Sequence, residues 1–229
     1  YFIILNCISN IKGRYQMDHN QNYLLELLKH NDNEIESLRP YAEDNHVPIV
    51  DKLTLELIKQ LIRMHKTTYI LEIGTAIGYS AMHFASVSPE IEVTTIERDE
   101  TMQQRAKHNI SAFNYDQQIR QIHGDALEVM DQVADRTYDM VFIDAAKAQS
   151  QKFFERYTPY LREGGLVITD NVLYHDFVAN IDAVKSRNKR QMAKKINAYN
   201  KWLMEQTQYA TTFLNMDDGV AISIKGASV

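Results

Sequence analysis

The chain has 229 residues, 45% of them hydrophobic, and a formal net charge of −5. That length fits one large α/β domain with a substantial core, and the acidic balance argues against non-specific coating of nucleic acid while leaving room for a local basic patch. The lone cysteine, Cys7, excludes an internal disulfide framework and fits a reducing, cytoplasmic setting, and no apolar run nears the roughly 18 residues a membrane span needs.

Residues 1–16 read as an extension ahead of a native start at Met17. Tyr1 to Leu5 is apolar but short, without a basic start or a cleavage site, so it is a poor signal peptide. A genuine N-terminal arm is the other reading. Residues 17–229 read as a single domain. The leucines after Tyr23 predict a helix, and Ile35 to Tyr41 a second one interrupted by Pro40. Asp51 is a candidate cap for a longer helix with Leu55, Ile58, Leu61 and Ile62 on its apolar face. Strands are expected at Tyr69–Ile73, Val93–Ile96, Ile119–His123, Tyr138–Ile143 and Leu166–Thr169. Helices are expected from Gly78 and through Ala106 and Ile110. Strands alternating with helices predict a doubly wound, mostly parallel sheet. Two final apolar runs, Ala210–Met216 and Val220–Ile224, flank Asp217-Asp218-Gly219, a hairpin signal.

Two strand ends carry the chemistry. Phe142-Ile143-Asp144-Ala145-Ala146-Lys147 and Ile168-Thr169-Asp170-Asn171 each pass from a buried apolar run into oxygen donors. Ligands of parallel sheets collect at the carboxyl ends of strands, and neighbouring strands lie about 5 Å apart. If these two are neighbours, Asp144, Asp170 and Asn171 can converge on one hard cation such as Mg²⁺, which takes oxygen ligands. Taken singly, each could be an ordinary strand-end residue.

Further upstream, Glu72-Ile73-Gly74-Thr75-Ala76-Ile77-Gly78-Tyr79-Ser80 leaves the first strand with glycines that let backbone approach a ligand. It lacks the glycine spacing that seats a pyrophosphate. Glu97 ends the second strand, about twenty residues on, where a carboxylate can accept ribose hydroxyls. Gly124-Asp125-Ala126 follows the third, where an acid and an amide could address an adenine edge. Nucleoside recognition without a pyrophosphate loop points to S-adenosylmethionine.

These segments, together with Thr95-Ile96-Glu97 and Asp218-Gly219, match in order the cation-dependent class I O-methyltransferases, the family of catechol and caffeoyl-CoA O-methyltransferases. Within it the chain most closely resembles the bacterial tRNA 5-hydroxyuridine methyltransferases, through His46-Val47-Pro48-Ile49, the loop Glu72–Ser80, Phe142–Lys147 and Tyr199-Asn200-Lys201-Trp202-Leu203-Met204. The resemblance implies a Rossmann-like fold with a seven-stranded sheet, and a homodimer. It implies S-adenosylmethionine contacts from Val50, Ser80, Glu97, Asp125, Ala126 and Asp144, beside the loop residues Glu72 and Gly74. It implies Mg²⁺ on Asp144, Asp170 and Asn171. Catechol enzymes carry an additional acid shortly before the final Asp-Gly; Thr211-Thr212-Phe213-Leu214 offers none here.

Lys147, three residues past Asp144, is a candidate general base beside the cation, or else a surface lysine on a turn. The segment Lys185–Lys201 places Met192, Ile196, Tyr199 and Leu203 on one helical face and Arg187, Arg190, Lys194 and Lys201 opposite, with Lys189 and Lys195 flanking. That stripe could meet RNA phosphates or be a solvated face. Tyr199 and Trp202 read as core or interface aromatics. The expected reaction is methylation of a hydroxyl, that of 5-hydroxyuridine in a tRNA anticodon loop or of a small phenolic acceptor. A Rossmann dehydrogenase and a non-catalytic nucleoside-binding module are the readings from other classes.

Overall fold

The computed structural model describes residues 19–31 and 33–226, so the expected start at Met17 and the extension before it lie outside the described residues. The chain divides into two compact units, residues 1–32 and 33–229. The first contains α1 (His19–Leu28), the helix read from the leucines after Tyr23, with Tyr23, Leu24 and Leu27 exposed.

The second unit begins with a 3₁₀ turn, Glu34–Ser37, capped by Asn33, whose Oδ1 accepts the N–H of Ile35 at 3.1 Å. The turn leads into α2 (Leu38–Asp44). Pro40 does not interrupt this helix, contrary to the sequence expectation. It sits in the first turn, where a backbone N–H has no intrahelical acceptor to lose.

Then α3 (Lys52–His65) leads into β1 (Tyr69–Ile73), α4 (Tyr79–Ala85), β2 (Glu92–Glu97), α5 (Glu100–Ala112), β3 (Ile119–His123), β4 (Tyr138–Ile143), α6 (Ser150–Tyr157), β5 (Leu161–Asp170), α7 (Arg187–Met204), β6 (Tyr209–Leu214) and β7 (Val220–Lys225). The seven strands form one sheet in the order β3-β2-β1-β4-β5-β7-β6, parallel from β3 to β5 and antiparallel across β5, β7 and β6. β5 starts five residues earlier than its apolar run suggests, because Gly164-Gly165 extends without contributing side chains to the hydrophobic pattern.

Both faces of the sheet are covered, which is why β1 and β4 read as nearly continuous apolar runs. On one face Ile70, Phe142 and Ile168 pack with Leu55, Ile58 and Ile62 of α3 and Phe84 of α4. On the other, Leu71, Val141 and Val167 pack with Phe153 and Phe154 of α6 and Tyr199 and Leu203 of α7. Fully burying a side chain of this kind is worth about 1.5–3 kcal/mol, so these two layers fix the sheet between its helices.

Connectivity reverses between β1 and β4: β1 is followed by β2 and β3 on one side, then the chain crosses to β4 on the other. The crevice at such a switch point, outside the carboxyl ends, is where open α/β sheets bind ligands.

Candidate functional site

A cavity of about 400 Å³ occupies that crevice. Its walls come from the ends of five parallel strands: Gly74 and Thr75 after β1, Glu97 and Arg98 at β2, Gly124 to Ala126 after β3, Asp144 to Lys147 after β4, and Asn171 after β5. Of the residues singled out from sequence, Gly74, Ser80, Glu97, Asp125, Ala126, Asp144, Lys147 and Asn171 line it, whereas Val50, Glu72 and Asp170 do not.

The loop after β1 is built from beneath. Glu72 is 0% exposed, and its two carboxyl oxygens accept the hydroxyls of Ser80 and Thr95, each at 2.5 Å. Thr75 Oγ1 lies 2.6 Å from Thr95 Oγ1. Glu72 thus fastens the loop and the start of α4 to β2, and no oxygen of it faces the cavity. Burial pushes its carboxyl up to about 8, outweighing the two hydroxyl donors, with the charges of Asp144 and Glu97 adding to the rise. Gly74 has φ +106°, and a Cβ there would stand 2.2 Å from the Asp144 carbonyl oxygen. Only glycine allows the ends of β1 and β4 to approach so closely.

Glu97 lies at the rim of β2, accepting the N–H of Ala76 at 3.0 Å and that of Asp99 at 2.9 Å. An ionised carboxylate has about four acceptor sites, so two remain for hydroxyls of a sugar. Asp125 turns the chain after β3 by accepting the Leu127 N–H at 2.8 Å, while the Ala126 carbonyl accepts the Tyr157 hydroxyl.

β4 and β5 are parallel neighbours in the register Ile143↔Thr169, which sets Asp144 and Asp170 side by side one residue further on. Asn171 follows in the left-handed region at φ +59°, and its N–H donates to Asp170 Oδ1 at 2.7 Å. Burial raises the carboxyls of both acids; Lys147 partly offsets the rise at Asp144, and the charge of Asp144 adds to it at Asp170. A pair of buried neighbouring acids, one of them raised by the charge of the other, fits a site whose occupant is positive. Among the described residues no three His, Cys, Asp or Glu side chains form a metal-holding group. Asp144, Asp170 and Asn171 together would offer two carboxylates and an amide, an all-oxygen set of the kind that suits Mg²⁺ and not a soft metal.

The segment after Asn171 is clamped to the β6–β7 turn. Val172 and Leu173 donate N–H groups to the Gly219 and Asp218 carbonyls, and the His175 N–H donates to Asp218 Oδ1. Tyr174 reaches the cavity wall with its ring edge-on to Phe177. From α7, Met192 also lines the cavity. The remaining stripe of α7 is core, as the periodicity reads: Ile196, Tyr199 and Leu203 are buried, and the Tyr199 hydroxyl lies 2.8 Å from Thr169 Oγ1. Trp202 stacks on Tyr199 and meets Phe154 edge-on. Arg187, Lys194, Lys195 and Lys201 are exposed. Arg190 is not: its Nε and Nη2 both donate to the Val184 carbonyl, at 2.9 and 2.6 Å, tying the incoming loop to the helix.

Sequence reasoning passed over several wall residues: Pro48, Ile49, Arg98, Phe153 and Tyr174. Pro48 and Ile49 stand within His46–Ile49, two and one residues ahead of Val50. Nothing in the sequence marks Phe153, whose apolar spacing is that of any core helix.

Residues 29–226 match the O-methyltransferase family. A crystal structure of "a putative caffeoyl-CoA O-methyltransferase from Staphylococcus aureus" is 62% identical, covers 91% of this chain and 100% of its own, and superposes with a TM-score of 0.89. The catechol O-methyltransferase of Niastella koreensis is 30% identical over 179 residues, 74% of this chain and 77% of the relative. The O-methyltransferase from Bacillus cereus, solved in complex with SAH, shares the fold at 24% identity and a TM-score of 0.76, covering 89% of this chain and 96% of its own. With its cavity at the switch point and its antiparallel β5-β7-β6 end, the chain belongs to the family of S-adenosylmethionine-dependent O-methyltransferases.

Proposed function

We propose that the protein transfers the methyl group of S-adenosylmethionine to the 5-hydroxyl of 5-hydroxyuridine in a tRNA anticodon loop, giving 5-methoxyuridine, with Mg²⁺ held by Asp144, Asp170 and Asn171. Gly74 and Ser80 of the loop would hold the cofactor at the carboxyl ends of β1 to β3, with Glu97 suited to its ribose and Asp125 and Ala126 to its adenine. Val50 contributes through its position beside Pro48 and Ile49, and Glu72 by holding the loop.

Mg²⁺, when bound, supplies Lewis-acid stabilisation and orientation of the acceptor oxygens. Lys147, on the cavity wall close enough to Asp144 to act on its ionisation, takes the hydroxyl proton on Nζ. S-adenosylmethionine, when bound, would supply the methyl group, its carbon–sulfur bond breaking as the carbon–oxygen bond forms and a neutral thioether being left. Phe153, Met192 and Tyr174 give the cavity apolar walls that keep water from the methyl group.

The observation that carries tRNA as acceptor is the place of α7. Met192 makes this helix part of the cavity wall, and the same helix carries the exposed Arg187, Lys194, Lys195 and Lys201. An acidic chain that carries an exposed basic face on the same helix whose Met192 meets the cavity suits a polyanion whose unstacked base enters that cavity. A small phenol is the second reading, favoured by the catechol O-methyltransferase relative. Against it, no acid lies in β6, and Asp217, in the turn after it, already accepts the N–H and hydroxyl of Thr54, each at 2.8 Å.

The test is incubation with undermodified tRNA and methyl-labelled S-adenosylmethionine, followed by nucleoside mass spectrometry. The reading expects label in 5-methoxyuridine, lost selectively when Lys194 and Lys201 are changed to Glu or when salt is raised, because phosphate contacts weaken steeply with ionic strength. Label entering a catechol but no nucleoside would transfer the assignment to the small acceptor.

A further inference from the structure

A second polar cluster lies outside the acidic pair, behind the cofactor side of the cavity. Tyr79, a cavity-lining residue on α4, points its hydroxyl away from the crevice towards α2 and the turn before it. There the hydroxyl donates to Glu36 Oε1 at 2.5 Å and accepts from Arg39 Nη2 at 2.6 Å, so both its hydrogen-bonding roles are filled. Arg39 Nε closes the triangle on Glu36 Oε2 at 3.2 Å, and the guanidinium lies 5.1 Å from the centre of the Tyr79 ring. Lys52 Nζ stands 3.8 Å from the same carboxylate, and His83 Nε2 3.2 Å from its other oxygen. Burial alone would raise the Glu36 carboxyl; these donors and charges outweigh it and hold the group at about 2.

The same Arg39 Nη2 also reaches the Val50 carbonyl, at 3.3 Å. Val50 lies in the segment that joins α2 to α3 and that also contributes Pro48 and Ile49 to the cavity wall. Pro48 has no N–H to give, so side-chain bonds matter more here than in a paired strand. One guanidinium thus ties two separate pieces of the wall, the Pro48–Val50 segment and Tyr79, to one carboxylate.

We propose that Arg39 is a positioning residue for the cofactor, holding Pro48–Val50 closed against Tyr79 so that the nucleoside cavity is preformed. This rests on the reading of the cavity as the cofactor seat. A wall that is ordered only part of the time lowers apparent affinity in proportion to its closed fraction, whereas the methyl-transfer step, with its residues at the other end of the cavity, is unaffected once the cofactor is bound.

The experiment measures S-adenosylhomocysteine affinity by titration calorimetry, steady-state kcat at saturating cofactor, and thermal midpoint. For Arg39→Met, loss of charge-assisted bonds corresponds to a rise of about tenfold in Kd, with kcat held within about twofold. Tyr79→Phe should raise Kd in the same direction, and the double variant should show less than the sum of the two effects, because the residues share one network. If Arg39→Met fails to fold, Tyr79→Phe alone carries the test. A lowered midpoint with unchanged Kd, or a loss confined to kcat, would overturn the proposal. Glu97→Ala separates the two claims. If it leaves Kd unchanged, the seat itself is misplaced; if it weakens binding while Arg39→Met does not, only the positioning role fails.

Discussion

Glu72 and Lys147 each stand in a motif that follows a parallel strand, yet their surroundings differ: Glu72 is buried beneath its loop, and Lys147 lines the cavity. The position of Glu72 at the end of a strand suggested a ligand contact, but the inward face of β1 takes its carboxyl into the core, where Ser80 and Thr95 fill it. An isolated sequence does not say which face of a doubly buried strand is which, since both are apolar. With its folded value at about 8 and an unfolded value near 4.3, Glu72 binds a proton in the native state that the unfolded chain releases. Native stability should therefore fall as pH rises from about 4.3 through about 8 on account of this group. Glu72→Gln, which keeps an uncharged acceptor and a donor, should flatten that slope in denaturant titrations across the window; an unchanged slope would show that Glu72 is already ionised. Lys147→Met tests the general base proposed for the reaction. Removal of a general base should lower kcat by about 10²- to 10⁴-fold with cofactor affinity preserved, and an unaltered kcat would leave deprotonation to solvent.

At the level of elements, α3 shows a function moved from one residue to another. Asp51 occupies the N-cap position, as the sequence suggests, but makes no capping bond. Instead Asp217, from the β6–β7 turn, accepts the Thr54 N–H and hydroxyl. A cap supplied from so far along the chain cannot be read from local spacing. Its consequence is that α3 and the turn that clamps the segment after Asn171 are one unit. Asp217→Ala should cost about 1–2 kcal/mol, the usual worth of a cap, while Asp51→Ala should cost far less; equal losses in thermal melts would contradict this assignment. Most strands were legible because buried parallel strands carry β-branched runs that stop at turn residues, as at Tyr69–Ile73 and Tyr138–Ile143. Pro40 was misread because a proline breaks a helix interior but not its first turn. The basic stripe of α7 was legible as a pattern; that Arg190 spends its donors on Val184, and that Met192 belongs to the cavity, depends on the approach of a loop that the sequence does not encode locally.

Across the whole molecule, a single topological fact organises the chemistry. The reversal between β1 and β4 opens the crevice, and register across β4 and β5 then brings two acids together that are separated by 26 positions in sequence, Asp144 and Asp170. On the proposed reading, the cofactor residues lie on the β1–β3 side and the cation residues on the β4–β5 side. Among the described residues no helix is long and apolar enough to cross a membrane. The central claim is that methyl transfer runs through a cation held by Asp144, Asp170 and Asn171, and it is tested most directly by measuring labelled methyl transfer to the acceptor with and without excess chelator. The account predicts that chelation abolishes turnover, that added Mg²⁺ restores it, and that Asp170→Ala is not restored, while S-adenosylhomocysteine binding persists throughout. Full transfer in excess chelator would contradict it.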